Sequence, residues 1–389
     1  MTCSDFSLYI HIPFCTPGKC DYCDFYSVTD TGAIPIFFDA LLKDIEEQLL
    51  HFNVKNIPTV YIGGGTPSVP GVKFLESLLS KLKSFSCFNP VEFTIEANPE
   101  SVSEDFLSVC REGGISRISL GVQTFHAPSR RAVNRAGRVP EEQLALVSRF
   151  FSDSFSADII TGLPCQTEKI VIDDIKRLLA FNPAHISLYS LTAEEGTPLY
   201  NKIKSGKIKL QKKEYADDLW LAAKTILEDT GFNHYEISAF AREGKYCLHN
   251  LRYWQMENWL GAGPSASGTV IFSGQEKENN EKYAAIRYTQ KADLYSYIKN
   301  PSIHTALREN IDRTSLLKET IFMGFRCKEG PDRELFLKRF GCSLEDVIPK
   351  TLTRWKNNDK MLFLNRFLTE AFDELIFNGL KVSYPWASV

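Results

Sequence analysis

Three cysteines lie close together near the start of the chain, Cys15, Cys20 and Cys23, in the pattern Cys-x4-Cys-x2-Cys. Thiolates are soft ligands that suit iron–sulfur clusters and zinc. Three of them on one loop leave a fourth coordination position for something other than cysteine. Four interpretations compete: an iron–sulfur cluster, a structural zinc site, a redox dithiol and chance.

The number of cysteines separates these interpretations in part. A structural zinc site needs a fourth protein ligand, and His11 supplies one only if its side chain faces the loop. A dithiol formed by Cys20 and Cys23 would leave Cys15 without a role. The count of three therefore favours an iron–sulfur cluster.

A second group of candidate residues lies in or after other apolar runs: the turn Gly63-Gly-Gly-Thr-Pro67, then Glu96, Gln123, Arg135 and Asp158. Successive glycines indicate a backbone path closed to a Cβ atom, or a ligand pressed against the main chain; a simple tight turn is the alternative. The turn is neither a dinucleotide-binding fingerprint nor a P-loop. Glu96 lies at the end of an apolar strand. A carboxylate in such a position needs a partner such as a cationic amine. Gln123, Arg135 and Asp158 could bind a ligand's carboxylate, ribose hydroxyls and base edge. Each of them alone is more often a residue that forms structural hydrogen bonds.

The elements that must position these residues alternate along the first 240 residues. Short apolar, β-rich runs are separated by segments of helical periodicity, such as Ile34–Phe52 and Val72–Leu82. The runs are Ser7–Pro13, Thr59–Ile62, Glu92–Ile95, Arg117–Val122, Ala157–Thr161, His185–Leu191 and His234–Ile237. This alternation predicts an α/β fold with a parallel sheet and helices outside it. Since the polar and glycine-rich residues follow the ends of the runs, we favour a full or partial (β/α) barrel over a doubly wound open sheet.

The character of the sequence changes after about residue 240. A segment rich in His, Asn, Trp, Tyr and Gly is followed by a polar run at 275–284, which predicts a solvated loop or a helix face. Amphipathic helices dominate from about residue 292, and residues 375–382 suggest a helix end, a glycine turn and a short strand. We predict a barrel domain over 1–240, a connecting segment over 241–290 and a smaller, mostly helical, winged-helix-like domain over 291–389.

Composition limits the class of protein. The 389 residues carry a formal net charge of −3, which gives no reason to expect a nucleic-acid partner. The chain has no apolar run of about 18 residues, as a transmembrane helix needs, and no Lys or Arg before Cys15, which argues against a cleaved secretory signal. Of ten cysteines three are clustered and the others scattered, unlike a disulfide framework. We therefore expect a cytoplasmic protein.

Taken in order, these motifs resemble those of radical S-adenosylmethionine (SAM) proteins. They are most similar to the branch that contains the oxygen-independent coproporphyrinogen III oxidases and the HemW-type haem chaperones. The matching segments are Tyr9–Phe25, Gly63–Pro67, Ile95–Pro99, Ser119–Phe125, Asp158–Thr167, His185–Tyr200 and Thr320–Gly330. The resemblance implies a partial (β/α)6 barrel in which Cys15, Cys20 and Cys23 hold a [4Fe–4S] cluster, with the methionine amine and carboxylate of SAM on the fourth iron.

The resemblance also implies the rest of the pocket. The residues are Tyr9 and Tyr22 beside the cluster and SAM, Gly64, Gly65 and Thr66 around the methionine moiety, Glu96 at its amine, Gln123, Arg135 and Asp158 in the remainder, and Thr192 near the adenine. One departure concerns the cysteine spacing, because the family has three residues between the first two cysteines where this chain has Thr16-Pro17-Gly18-Lys19. Pro-Gly favours turns, so we expect the extra residue to bulge outward and leave the thiolates in place.

Three features favour the chaperones over the oxidases. Asp24-Phe25 follows Cys23, where the oxidases carry another cysteine, and the oxidases have a longer N-terminal extension. His249-Asn-Leu-Arg-Tyr-Trp254 matches the H-N-x-x-Y-W signature of the chaperones. By that resemblance His249 is a haem ligand or contact, and Asn250, Tyr253 and Trp254 contact the porphyrin. The alternative is a His-Asn-aromatic cluster that braces two domains, and Cys247 is a second candidate for haem.

We therefore expect a radical SAM-fold protein that binds a [4Fe–4S] cluster, SAM and haem, and that passes haem from a donor to an acceptor protein. The alternatives are an oxygen-independent coproporphyrinogen III oxidase, which uses a 5′-deoxyadenosyl radical, and an anaerobic haem-modifying enzyme. The resemblance also allows transient membrane association and a cluster-dependent homodimer.

Overall fold

Twelve strands form one sheet in the computed structural model, which describes residues 5–16, 18–135, 140–278 and 281–378. The strands are β1 (Ser7–Ile12), β2 (Ile57–Gly64), β3 (Phe88–Ala97), β4 (Arg117–Gln123), β5 (Phe155–Thr161), β6 (His185–Ser190), β7 (Asn233–Glu236), β8 (Ala239–Ala241), β9 (Trp259–Ala262), β10 (Ser267–Glu278), β11 (Glu281–Thr289) and β12 (Leu307–Ile311). Their order across the sheet is β12-β11-β10-β9-β1-β2-β3-β4-β5-β6-β8-β7.

Strands β1 to β6 lie side by side in chain order, and each pairs in parallel with the next. A doubly wound sheet reverses its strand order at a switch point, and this sheet does not do so within β1–β6. Because parallel crossovers are right-handed, an unreversed order puts their helices on one side of the sheet. The predicted α/β fold with a partial (β/α)6 barrel is therefore confirmed. The seventh predicted run, His234–Ile237, forms β7, which pairs antiparallel with β8 and adds no parallel barrel strand.

The helices are α1 (Ile34–His51), α2 (Val72–Lys83), α3 (Glu104–Glu112), α4 (Ala127–Ala132), α5 (Pro140–Phe150), α6 (Glu168–Leu179), α7 (Pro198–Lys204), α8 (Lys213–Asp229), α9 (Leu248–Trp254), α10 (Leu294–Lys299), α11 (Arg313–Gly324), α12 (Arg333–Phe340), α13 (Leu344–Val347), α14 (Pro349–Arg354) and α15 (Leu364–Phe377). The two helices predicted by periodicity, α1 and α2, begin at the predicted residues. In α1 the buried residues Phe37, Leu41 and Ile45 recur every four positions, which forms the apolar stripe that packs on the sheet.

Side chains alternate along the barrel strands between the helix-facing side and the interior. The helix-facing side is apolar and fully buried, as at Leu8, Ile10, Val60, Ile62, Phe93, Ile95, Ile118, Leu120, Ile186 and Leu188. The intervening positions are largely polar: Ser7, Tyr9, His11, Thr59, Tyr61, Glu92, Thr94, Glu96, Arg117, Ser119, Ser156, Asp158, His185 and Ser187. The barrel interior is therefore polar, which is what a site for a charged ligand requires.

The C-terminal region is mostly helical, as predicted, and has a core of its own built on α11, α12 and α15, with Phe336, Phe367 and Phe372 fully buried. The proposed domain limits at 240 and 290 remain a prediction. The described residues of the polar run, 275–278 and 281–284, lie in the antiparallel pair β10 and β11 rather than in a loop or helix, so that prediction is wrong. The two halves of the run pair with each other, with Lys277 opposite Lys282, and this pairing gives them their strand conformation. The turn and strand expected at the end of 375–382 lie outside the described residues.

Within the described ranges, no helix combines the length and the apolar character needed to cross a membrane.

Candidate functional site

The cysteine loop follows β1 and is closed at its base. The backbone N–H of Cys15 donates to the carbonyl of Val28 at 2.9 Å, and Val28 donates back to Pro13 at 2.7 Å. Within the loop, Cys23 N–H donates to the carbonyl of Cys20 at 3.1 Å. All three cysteines are free and partly exposed. The loop therefore presents three thiols at the carboxyl end of the first barrel strand.

His11 is not presented as a fourth ligand. Its Nε2 donates to the carbonyl of Tyr26 at 2.9 Å, so Nδ1 accepts from the hydroxyl of Tyr9 at 3.0 Å. Burial lowers the pKa of His11, which keeps the ring neutral. Both ring nitrogens are thus engaged within β1 and the loop. In the described part of the chain, no three His, Cys, Asp or Glu side chains converge as ligands for a single metal ion.

The triple-glycine turn after β2 packs against the start of the cysteine loop. Gly65 N–H donates to Ile12 at 2.8 Å and Thr66 N–H donates to Phe14 at 2.7 Å. A Cβ atom on Gly65 would lie 2.5 Å from the carbonyl oxygen of Phe14, and Gly64 has a φ of 118°. These glycines are therefore required for close backbone contact. The Oγ1 of Thr66 also lies 3.7 Å from the Sγ of Cys15, which joins the turn and the loop into one unit.

Two buried carboxyl groups lie near this unit, Glu96 on β3 and Asp158 on β5. Glu96 accepts from the Tyr61 hydroxyl at 2.9 Å and from Gly64 N–H at 3.2 Å, and both donors are neutral. Burial, together with the charge of Asp158, raises the pKa of Glu96 to about 7. Burial likewise raises the pKa of Asp158, which accepts from Ser119, to about 6. A cationic group bound here would restore both carboxylates to their ionised form.

Arg135 connects the loop to the ends of β3 and β4. Its Nη2 donates to Asn98 Oδ1 at 2.9 Å and to the carbonyl of Gly121 at 2.5 Å, and its Nη1 lies 3.4 Å from the Sγ of Cys20. The amide of Asn98 continues the chain by donating to Thr66 Oγ1 at 2.9 Å. A single hydrogen-bond network therefore links the cysteine loop, the glycine turn and Arg135.

Three buried polar atoms around this network have no hydrogen-bond partner among the residues that the structure describes: Tyr22 Oη, Gln123 Oε1 and Arg135 Nε. A Cβ atom on Gly121 would lie 3.0 Å from Gln123 Nε2 and 3.3 Å from Arg135 Nη2, so these two side chains are neighbours. Gln123 also has a positive φ of 68° where β4 ends in a register shift. Buried groups without partners are rare in folded proteins, so these atoms indicate a site built for a polar ligand.

The remaining predicted contacts lie at the edges of this site. Thr192 follows β6 at the same end of the barrel and is exposed. Tyr9 lies inside the barrel, with its ring centroid 6.3 Å from that of Tyr61. The structure thus brings together the cysteine loop, Tyr22, the glycine turn, Glu96, Gln123, Arg135 and Asp158.

His249 lies at the opposite end of the barrel strands, on α9. Its Nδ1 hydrogen-bonds to Thr59 Oγ1 at 2.9 Å and its Nε2 to the Tyr253 hydroxyl at 2.7 Å. The Thr59 hydroxyl itself donates to Ser7, so Nδ1 of His249 is the donor and Nε2 the acceptor. The ring is completely buried, and burial lowers its pKa to about 3. In this position His249 braces α9 against β2, and it does not contact the cysteine loop.

The rest of the His249–Trp254 segment is also packed into the fold. Glu92 accepts from the backbone N–H groups of Leu248 and His249 at 3.0 and 2.9 Å, which anchors the start of α9. Asn250 is half-buried, and the guanidinium of Arg326 lies 5.5 Å from the Trp254 ring. Burial, with the nearby charge of Glu92, raises the pKa of Cys247 to about 12, so its thiol stays protonated.

Tyr61 connects the two ends of the barrel. Its ring centroid lies 5.3 Å from that of His249, and its hydroxyl donates to Glu96. The interior of the barrel is therefore continuous from α9 to the buried carboxylates.

Sequence reasoning missed several residues that organise the site. Asn98 stood inside the matching segment Ile95–Pro99, which was the only signal for it. Asp21 and Lys202 form an ion pair across 181 positions, and Glu92 contacts His249 across 157. Pairs so distant along the chain leave no pattern in a single sequence.

Comparison with known proteins shows the superfamily to which the chain is similar. Residues 9–178 match the radical SAM superfamily. The fold is similar to the solved structure of a coproporphyrinogen III oxidase from Escherichia coli, described as a radical SAM enzyme, with a TM-score of 0.77 over 95% of this chain and 90% of that one. Their sequences are 21% identical, so this likeness shows the fold alone.

The particular family follows from relatives of higher identity. The haem chaperone HemW of Lactococcus lactis is 33% identical over 364 residues, which cover 92% of this chain and 91% of that protein. HemW of Escherichia coli is 35% identical over 268 residues, covering 68% and 70%. The chain belongs to the HemW family of radical SAM proteins.

Radical SAM membership implies a [4Fe–4S] cluster and SAM as cofactors. The residues at the barrel mouth fit both groups. Three free thiols on one loop match a cluster with one iron left for another ligand. The two buried carboxyl groups and the unpaired atoms of Gln123 and Arg135 match a ligand that carries an amine, hydroxyl groups and a carboxylate.

Proposed function

We propose that this protein is a haem chaperone, which binds a [4Fe–4S] cluster, SAM and haem and passes haem to an acceptor protein. The observation that carries the proposal is the 33% identity to a haem chaperone along 92% of the chain. The barrel mouth supports the cluster and SAM part independently through its thiols and unpaired polar atoms.

In the proposed site, Cys15, Cys20 and Cys23 hold the cluster. Glu96 binds the amine of SAM, because its carboxylate is buried and contacted by neutral donors alone in the described structure. Gly64, Gly65 and Thr66 hold the methionine backbone, since the turn excludes side chains there. When bound, a reduced cluster supplies an electron to the sulfonium of SAM.

The other side of the pocket orients SAM. Gln123 and Arg135 each offer a buried polar atom to the ligand, and Asp158 offers a carboxylate to a hydroxyl group. Tyr22 and Tyr9 exclude water near the cluster, and Thr192 lies at the edge where an adenine would leave the barrel. These side chains bind and position SAM without any acid–base step.

Haem is proposed to contact His249, Asn250, Tyr253 and Trp254. Because Nδ1 of His249 carries the proton and Nε2 accepts from Tyr253, ligation of iron by Nε2 requires the hydrogen bond to Tyr253 to break. The ring is already neutral, with a pKa near 3, which is the form that binds iron. Haem binding at this segment is thus proposed to move α9 rather than to fill a preformed pocket.

The direct test is an anaerobic haem titration of the reconstituted protein, followed by Soret absorbance. We expect saturable binding, and we expect His249→Ala to weaken it about tenfold or more, as loss of about 1.4 kcal/mol of binding energy would. His185→Ala is the matched control, because His185 is equally buried and its ring nitrogens bond to Ser156 and Tyr235 at 2.8 and 2.9 Å. Equal effects of the two substitutions would refute a haem contact at His249.

Two further readouts test the function itself. Haem-free myoglobin serves as the probe acceptor, and complete transfer to it identifies the bound haem as cargo. Coproporphyrinogen III with SAM and a reductant should stay unconverted, and conversion to protoporphyrinogen would contradict the chaperone proposal.

The proposal includes a cytoplasmic location, a haem donor and an acceptor protein, with transient membrane association and a cluster-dependent homodimer as further parts. Cell fractionation checks the location, and sizing of the protein with and without reconstituted cluster checks the dimer.

A further inference from the structure

Asp21 lies between Cys20 and Cys23, and three of its polar groups are held by other parts of the fold. Its N–H donates to the carbonyl of Val133, after α4, at 3.0 Å. Its carbonyl accepts from Leu199 N–H in α7 at 2.8 Å. Its side chain, 6% exposed, pairs with Nζ of Lys202 at 2.6 Å. Asp21, which lies between two of the three cysteines, is thus held both by α7 and by the segment after α4.

The helix that carries Lys202 is firmly docked. The carbonyl of Lys202 accepts from the N–H groups of Lys207 and Ile208 at 2.9 and 3.2 Å, which folds the following turn back onto α7. Leu199 is fully buried, and Tyr22 of the cysteine loop packs in the same apolar cluster. Helix α7 is therefore a rigid support for the Cys20–Cys23 half of the loop.

The Cys15 half has a separate anchor. Cys15 N–H donates to the carbonyl of Val28, and the carbonyl of Phe14 accepts from Thr66 N–H. Neither of these two bonds involves α7. Gly18, with a φ of 90°, lies between the two anchors, in the stretch that contains the additional residue of the Cys-x4-Cys spacing. Each half of the loop is thus positioned by its own set of hydrogen bonds.

We propose that Asp21 and Lys202 form a positioning pair, through which α7 sets the Cys20–Cys23 half of the loop relative to the SAM pocket. The inference rests on the cluster-binding part of the proposed function and concerns residues that contact neither cluster nor SAM. The consequence reaches the pocket directly, because Cys20 Sγ lies 3.4 Å from Arg135 Nη1.

The physical reason is the burial of the carboxylate. A buried charge that loses its partner is strongly unfavourable, so without Lys202 the side chain of Asp21 must move toward water. The two backbone bonds of Asp21 remain, and the loop is expected to shift rather than to unfold. Substitutions of residues that orient metal ligands typically lower metal affinity about 10- to 100-fold.

The experiment compares four variants of the anaerobically reconstituted full chain: Lys202→Met, Lys202→Arg, the double variant Asp21→Asn/Lys202→Met, and Lys224→Met. The last is the matched control, because Lys224 also forms a 2.6 Å ion pair, with Glu228 on α8, away from the loop. The readouts are the rate of iron loss to a chelator, the Kd of SAM per assembled cluster, and the electron paramagnetic resonance spectrum of the reduced cluster with and without SAM.

We expect Lys202→Met to lose iron about 10- to 100-fold faster and to show a weaker spectral change on SAM addition. Lys202→Arg should retain wild-type behaviour. The double variant should recover part of the loss, because it removes both charges. Lys224→Met should match wild type, and thermal melting of the cluster-free proteins should show that all four variants fold.

The proposal is overturned if Lys202→Met loses iron at the same rate and binds SAM with the same affinity as Lys224→Met. It is also overturned if the double variant is as defective as Lys202→Met alone. Neither readout involves haem. A protein that fails to bind haem while these results hold would refute the chaperone function and leave the positioning pair intact.

Discussion

The buried carboxyl of Glu96 gives the sharpest quantitative prediction. Its pKa is raised from an ordinary value of 4.5 to about 7, first by burial and then by the charge of Asp158. A carboxyl whose pKa is higher in the folded than in the unfolded state contributes stability that is fully present below the unfolded pKa. That stability is lost as the pH rises through the folded pKa. The SAM-free protein is therefore destabilised by ionisation of Glu96 between about pH 4.5 and pH 7.

The substitution Glu96→Gln removes this cost and keeps the shape of the side chain. Each pKa unit corresponds to 1.36 kcal/mol, so the shift of Glu96 amounts to about 3 kcal/mol at pH 8. We expect the free energy of unfolding of Glu96→Gln, relative to wild type, to increase by about 3 kcal/mol between pH 4.5 and pH 8 in the absence of SAM. Denaturant unfolding at several pH values measures this difference.

SAM binding should show the opposite preference. The wild-type affinity should rise about tenfold from pH 6 to pH 8, because the amine binds the ionised carboxylate and Glu96 is mostly protonated at pH 6. Glu96→Gln should bind SAM more weakly and lose most of this rise. Isothermal titration of the oxidised, cluster-loaded protein measures both affinities. A wild-type affinity independent of pH, or an equal rise in the variant, would refute the assignment of Glu96 to the amine.

Three further predictions concern the packing of the site. Gly65→Ala should abolish cluster assembly, because the new Cβ would lie 2.5 Å from the carbonyl oxygen of Phe14. The measurement is the iron content after reconstitution. The control Gly32→Ala should assemble the cluster normally, since its Cβ would meet only an exposed side chain. Asn98→Ala should lower stability by about 1–3 kcal/mol in chemical denaturation, since Thr66 and Arg135 lose a buried partner, and normal stability would contradict the network. Glu92→Gln should weaken two charge-assisted bonds to the start of α9, at a cost of about 2 kcal/mol, and faster hydrogen exchange in 248–254 would be its signature.

Much of the barrel could be predicted from local pattern. The six parallel strands coincide with apolar runs, because alternate residues of each strand pack against helices and must be apolar. The same pattern could not specify β8 to β12. Strand β9 pairs with β1 and strand β8 with β6, in both cases far away in sequence, and the composition of β8 to β12 is mixed. The polar run at 275–284 illustrates the limit, since its charges suggested a loop or helix, whereas residues 275–278 and 281–284 belong to the paired strands β10 and β11.

The residues of the candidate site also fall into those that the sequence could predict and those that it could not. Glu96 and Gln123 at the ends of predicted strands, and Asp158 within one, could be found because parallel strands bring their carboxyl ends together. Asn98, Asp21 and Lys202 act through contacts that only the folded chain creates. His249 was singled out by its motif, and the motif does not reveal that both of its ring nitrogens are satisfied inside the fold.

The central claim is that this protein handles haem as cargo and does not convert a porphyrinogen. The most direct measurement places the cluster-loaded protein under anaerobic conditions with SAM, a reductant, haem and coproporphyrinogen III, and separates the products by chromatography. The account predicts haem recovered intact on the protein and unchanged coproporphyrinogen. Formation of protoporphyrinogen, with no haem bound, would contradict it.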